Sequence, residues 1–188
     1  MALVAAESLA AAVPVAQHPA TSQEPIVVDS VSSNIDYETN TAEFTSIVIS
    51  QGDLRLTAER AHATGVGFTN GEWTFMGRVV IIFEPRGLLR ADQAIVQFRE
   101  GELTQVTAIG SPAYIERWRT DSLLPGHGRA DQITYDVQQH TIRLAGHAQL
   151  ADERTEIRAP LFIYDVRDGG FKADSAGERQ GVHVRILP

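Results

Sequence analysis

RADQITYDVQQHTIRLAGHAQL, Arg129–Leu150, reads as strand, tight turn, strand. Ile133, Tyr135 and Val137 alternate with Thr134, Asp136 and Gln138, the period of two that marks a half-buried strand. Gln139-His140 makes a polar break, after which Ile142 and Leu144 alternate with Thr141 and Arg143. Gly146 interrupts this second strand, and Ala148 and Leu150 resume its apolar face. A glycine inside a strand marks a bulge or a close backbone approach.

The unit recurs. RADQ stands at Arg90–Gln93 as well as at Arg129–Gln132. The same frame, an alanine, a spacer pair, then apolar residues at every second position, opens at Ala58, Ala91, Ala130 and Ala159. The intervals are unequal, which fits stacked hairpins with loops of different length and not a strict solenoid. A small residue also marks the midpoint of successive hairpins, at Ser46, Gly77, Gly110-Ser111 and Gly146. It shifts the alternation by one position, so that Phe44 shares a face with Ile47 and Ile49.

Outward from this unit the chain keeps one style. Pro25–Ser30 is a short strand, and Asn34–Glu38 with Ala42–Ser50 forms a hairpin. Leu54–Ala63, Glu72–Phe83, Leu89–Phe98, Leu103–Ile109 and Ala113–Arg117 follow as strands, the last two separated by Gly110-Ser111-Pro112. Thr120–Gly128 is the longest loop. Beyond the central unit come Thr155–Val166, a turn at Asp168-Gly169-Gly170, and a final strand carrying Val182, Val184 and Ile186. No segment has helical periodicity with caps. The expected class is therefore all-β, and antiparallel, because the turns are too short for crossovers. Met1–Ser22 is rich in Ala, Val, Pro and Ser without periodicity and reads as a residual signal peptide or a disordered tail, leaving residues 23–188 as one domain.

The 188 residues carry a formal charge of −8, which disfavours a nucleic-acid partner, since phosphate binding needs a basic face. With no cysteine there is neither a disulfide framework nor a Cys metal site. No catalytic motif stands in the chain, whether Gly-x-Ser-x-Gly, His-Glu-x-x-His or a phosphate-cradling loop, and no cofactor or metal is expected. His140 and His147 share a hairpin but lack a third ligand nearby. Glu59, Asp92 and Asp131 recur after the frame alanines. A carboxylate active site needs two such groups converging on one cleft, whereas repeats place them on successive strands. They read as polar residues satisfying backbone at bulges. Asp152, Glu153 and Glu156 read as a solvated edge, with Ca²⁺ the alternative.

What remains is the apolar face, which fits either a packed core or an elongated groove. Three functions follow. One is a carrier of apolar ligand. Another is a β-rich structural or adhesin scaffold with a filled core. The third is a carbohydrate-binding β-sandwich stacking sugars on Trp73 and Trp118.

The chain resembles the OstA-like periplasmic lipopolysaccharide-transport proteins, most of all the LptA-type members. The residues carrying the resemblance are Gln23–Asp29 (QEPIVVD), Asp36, Phe44-Thr45, Val48-Ile49, Gln51-Gly52 and Leu54–Glu59. Later come Gly126–Asp136 (GHGRADQITYD), Leu144–Ala148 (LAGHA) and Ile157–Tyr164. Each motif is weak alone; their order and spacing are specific. The chain departs by an additional hairpin between Gly71 and Phe98 and by Ser46 where Gly or Asn is expected.

The resemblance implies an open, twisted antiparallel β-jelly roll whose interior carries the lipid A acyl chains of lipopolysaccharide. It implies a periplasmic location and head-to-tail contacts with an LptC-like inner-membrane partner, an LptD-like outer-membrane partner or copies of the same chain. The expected lipid-binding residues on the alternating faces are Phe44, Ile47, Ile49, Leu54, Leu56, Ala58, Val96, Phe98, Ile133, Leu144, Phe162 and Tyr164. The resemblance adds Ile26 and Val28 on the first strand, and Ala113, Tyr135 and Val137 on interior strands. Burying one acyl methylene yields about 0.8 kcal/mol, so ten yield roughly 8 kcal/mol before ordering costs.

Overall fold

The structure is a computed structural model and describes residues 25–65, 70–83, 87–117, 126–152, 154–168, 170–175 and 181–186. The expected tail, Met1–Ser22, lies outside them. Among the described residues twelve strands run in chain order: β1 (Val27–Asp29), β2 (Ser32–Asp36), β3 (Thr41–Gln51), β4 (Leu54–Thr64), β5 (Gly71–Phe83), β6 (Gly87–Arg99), β7 (Glu102–Arg117), β8 (His127–Asp136), β9 (Thr141–Ala151), β10 (Thr155–Asp165), β11 (Phe171–Asp174) and β12 (His183–Ile186). They form one sheet in which β3 to β10 follow each other as a meander. Every pairing is antiparallel.

A line of bulges crosses this sheet at the middle of each long strand. Gly77 and Arg78 of β5 lie opposite the single residue Asp92 of β6. Gly110–Pro112 of β7 lies opposite Asp131 of β8, and Gly146 with His147 of β9 opposite Pro160 of β10. Ser46, Gly77, Arg78, Gly146 and His147 all hold positive φ, as a bulge requires. The line is a crease. It divides each long strand into a first half, such as Leu54–Ala58 on β4 and Val79–Phe83 on β5, and a second half, such as Ala61–Thr64 and Gly71–Met76.

The consequence for side chains follows from the period of two. A regular strand would turn its apolar residues outward at a one-residue insertion. The nearest hydrophobic-core residues on either side of the crease are therefore three apart on β3 (Phe44, Ile47), β4 (Ala58, Ala61), β6 (Ala91, Ala94), β8 (Ala130, Ile133) and β10 (Ala159, Phe162). They are four apart on β5 (Phe75, Val79) and β9 (Leu144, Ala148), where the bulge is longer, and five on β7 (Ala108, Ala113). Apolar residues of both halves thus join one core. Alanines dominate next to the crease.

Carboxylates fasten the crease from outside. Glu59 Oε1 accepts from Arg78 Nε at 2.5 Å, Asp92 Oδ2 accepts from the Ser111 backbone N–H at 3.1 Å, and Asp131 Oδ2 lies 2.8 Å from His147 Nδ1. The expectation that these acids satisfy backbone holds for Asp92; Glu59 and Asp131 pair with side chains instead.

Three readings of the sequence are corrected. Leu103–Ile109 and Ala113–Arg117 are one strand, β7, because the crease absorbs Gly110-Ser111-Pro112 as a bulge where proline suggests a break. Strand β8 ends at Asp136, so Val137 sits in the turn, its backbone N–H donating to Thr104 O at 3.0 Å. Phe171–Asp174 forms a strand, β11, that the alternation does not mark.

The two ends of the sheet are built alike. β1 covers Val48–Ser50 of β3 and β2 covers Thr41–Thr45. β12 covers Thr155–Arg158 of β10 and β11 covers Leu161–Tyr164. Each end strand is thus flanked by two half-length strands that part at the crease.

Candidate functional site

Moving away from the crease, alanine gives way to larger side chains and the interior opens. Two cavities lie there. The smaller, about 100 Å³, sits at the N-terminal end and is lined by Ile26, Ile49, Gln51, Leu54, Leu56, Phe75, Ile81, Phe83, Val96, Phe98, Leu103 and Val106. The larger, about 230 Å³, sits toward the C-terminal end. Its walls are Ile81, Phe83, Gly87, Leu88, Leu89, Val106, Ile115, Glu116, Ile133, Tyr135, Ile142 and Val166. Ile81, Phe83 and Val106 belong to both walls, so the cavities adjoin. Each is lined by both halves of the creased sheet, which shows that the halves face one another.

The lining is almost wholly hydrocarbon. No charged or polar residue is buried among the described residues. Glu116 is the only acidic or basic residue in either wall; its carboxylate lies 3.5 Å from the Tyr114 hydroxyl. Burial, and next the neighbouring Glu116 charge, raise the Tyr114 phenol above its ordinary value and keep it a donor. Such a surface binds methylene chains by excluding water and offers nothing to a free ion.

The residues nominated from the sequence separate into two groups. Ile26, Ile49, Leu54, Leu56, Val96, Phe98, Ile133 and Tyr135 line a cavity. Phe44, Ile47, Ala58, Ala113, Leu144, Phe162 and Tyr164 are buried in solid packing and line neither. Val28 is half-buried against the core, and Val137 lies in its turn, also outside both walls. Sequence reasoning missed Phe75, Ile81, Phe83, Leu88, Leu89, Leu103, Val106, Ile115, Ile142 and Val166. Alternation marks the inner face on which most of them lie; it does not mark which residues of that face meet open space.

Trp73 is 1 % exposed and stacked between Phe44 at 5.4 Å and Phe75 at 6.1 Å. A ring so enclosed presents no face to a sugar, which corrects the reading of Trp73 as half of a carbohydrate platform; Trp118 lies outside the described residues. The Asp152 carboxylate accepts from the backbone N–H groups of Arg154 and Thr155, and Glu156 pairs with Arg158. Among the described residues no three His, Cys, Asp or Glu side chains gather as a metal site.

A creased antiparallel sheet folded over a hydrocarbon-lined interior defines the class: an open β-jelly roll. Within that class, residues 61–169 match the family model described as "LptA/(LptD N-terminal domain) LPS transport protein", and the chain belongs to that family. The match runs through Gly71–Phe98, so the hairpin of β5 and β6 lies inside the family's domain. The chain is 23% identical to the lipopolysaccharide export system protein LptA of Haemophilus influenzae over 164 residues, 87% of this chain and 77% of the relative. It is also similar to the crystal structure of LptH from Pseudomonas aeruginosa, described as the LptA-homologous periplasmic component of the lipopolysaccharide transport device. That similarity has 18% identity and a TM-score of 0.44, covering 88% of this chain and 96% of that one. Both relatives are named as components of lipopolysaccharide export or transport.

Proposed function

We propose that this protein is a periplasmic carrier that shelters the lipid A acyl chains of lipopolysaccharide and passes the lipid from the inner toward the outer membrane. One observation carries the reading: two adjoining cavities with hydrocarbon walls, in a chain of a lipopolysaccharide-transport family. No chemistry is required of such a protein. Phosphates and sugars stay outside, because the interior has no cation to meet them and desolvating an unpaired phosphate is prohibitive. The half-length strands at the two ends leave backbone groups for strand addition. They are the proposed meeting places with an LptC-like partner, an LptD-like partner or a second copy head to tail. The exposed apolar residues Val31 and Tyr37 at one end and Val184 and Ile186 at the other support this.

The test uses the alternation in β8. A photocrosslinking residue at Tyr135 should capture lipopolysaccharide, and one at Thr134 should not, since neighbours on a strand face opposite ways. Equal capture at both positions would overturn the assignment of the inner face. Capture at neither, from a folded protein, would favour the filled-core scaffold, a reading that the solid packing of Phe162, Leu144 and Ala148 keeps in play.

A further inference from the structure

The two cavities adjoin. Their common wall consists of three residues, and these come from opposite sides: Ile81 and Phe83 from the first half of β5, Val106 from the second half of β7. Three side chains reaching from facing halves stand where the two cavities meet. The three are not equivalent. Ile81 is buried and fixed among core neighbours. Val106 is packed against the same core and, being β-branched, is stiff at χ1. Phe83 is 41% exposed although it lines both cavities. Its neighbours across the strands explain that exposure. On the β4 side it pairs with Leu54, a wall residue of the smaller cavity. On the β6 side it pairs with Gly87, a wall residue of the larger cavity, which has no side chain to hold the ring.

We infer that Phe83 is the residue that sets the length of acyl chain each compartment accepts, its ring closing the smaller cavity from the larger and swinging toward Gly87 to join them. This rests on the carrier reading and deepens it. With the ring across the groove, a chain entering either compartment meets a hydrocarbon stop. With the ring displaced, one chain threads both. An aromatic ring suits this role, because it is large enough to fill the section and reorients about only two torsions.

The experiment measures binding of saturated fatty acids of increasing length by displacement of an apolar fluorescent probe, beside capture of lipopolysaccharide itself. For the native protein, affinity should rise about fourfold with each added methylene until the chain fills its compartment, then level off. Phe83→Ala should move the plateau to longer chains, and Phe83→Trp to shorter ones. The tryptophan variant carries the test if the alanine variant does not fold. Plateaus at one chain length in all folded variants, with lipopolysaccharide still captured, would overturn the role of Phe83 and leave the carrier standing. A native protein that binds neither fatty acid nor lipopolysaccharide would remove the carrier reading, and this inference with it.

Discussion

Ser46 holds its backbone at a φ of 53° while its side chain is exposed. A non-glycine residue in the left-handed region costs about 1–2 kcal/mol, which glycine avoids at the expense of a more disordered unfolded chain. Ser46→Gly should therefore stabilise the protein by about 0.5–1 kcal/mol, read from the midpoint of urea unfolding. A lower midpoint would mean that the hydroxyl makes a contact worth more than the strain. Gly146 is the opposite case. Its φ is 75°, and an added Cβ would fall 2.5 Å from Asp131 Oδ2. Gly146→Ala should cost about 1–3 kcal/mol, because strain and the displaced carboxylate act together. Stability equal to the parent would show that Asp131 gives way freely.

At the scale of the hairpin, one device recurs. Asp36, Asp136, Asp152 and Asp165 each close a strand and turn a carboxylate back onto the backbone N–H groups that follow. Those bonds hold Asp36, Asp152 and Asp165 below the ordinary value of 3.8. A folded value below the unfolded one means that the contribution is complete above the unfolded value and is lost as pH falls through the folded one. Stability should thus decline on acidification below about pH 4, and less steeply in Asp165→Asn, whose side chain accepts the same bonds without titrating. Parallel declines would uncouple this turn from folding.

Hairpins of this kind are legible in a sequence because period two, a polar break and a mid-strand glycine are all local signals. Their limits show at β7, where Pro112 reads as an end, and at Val137, where alternation continues one residue past the strand. The interior was legible as a face and not as a depth. Ala58 and Ala113 obey the same alternation as Leu56 and Ile115, yet the first two sit at the crease and the other two beside open space. Which of them meets a cavity depends on how sharply the sheet folds, and that is a property of many strands together.

For the whole molecule the balance of forces is simple. The chain is acidic overall, at −8, and its cavities are apolar. Attraction of an anionic lipid by charge is absent, and exclusion of water from hydrocarbon is not screened. Lipopolysaccharide binding should change little between low and physiological ionic strength, measured by probe displacement. A steep loss with salt would point to a basic patch around the exposed Arg90 as the dominant contact.

The crease runs unbroken from one end to the other, and both ends finish in the same manner, with two short strands that part at it. Cross-section is thereby separated from length: every hairpin carrying a mid-strand bulge adds the same slice of trough. The main path of the sheet has ten strands, which at about 4.8 Å apart give a sheet roughly 45 Å from edge to edge. The hairpin is a unit of measure. The length of the sheet grows in steps of about 10 Å per added hairpin, without any change in how each strand is folded at its middle.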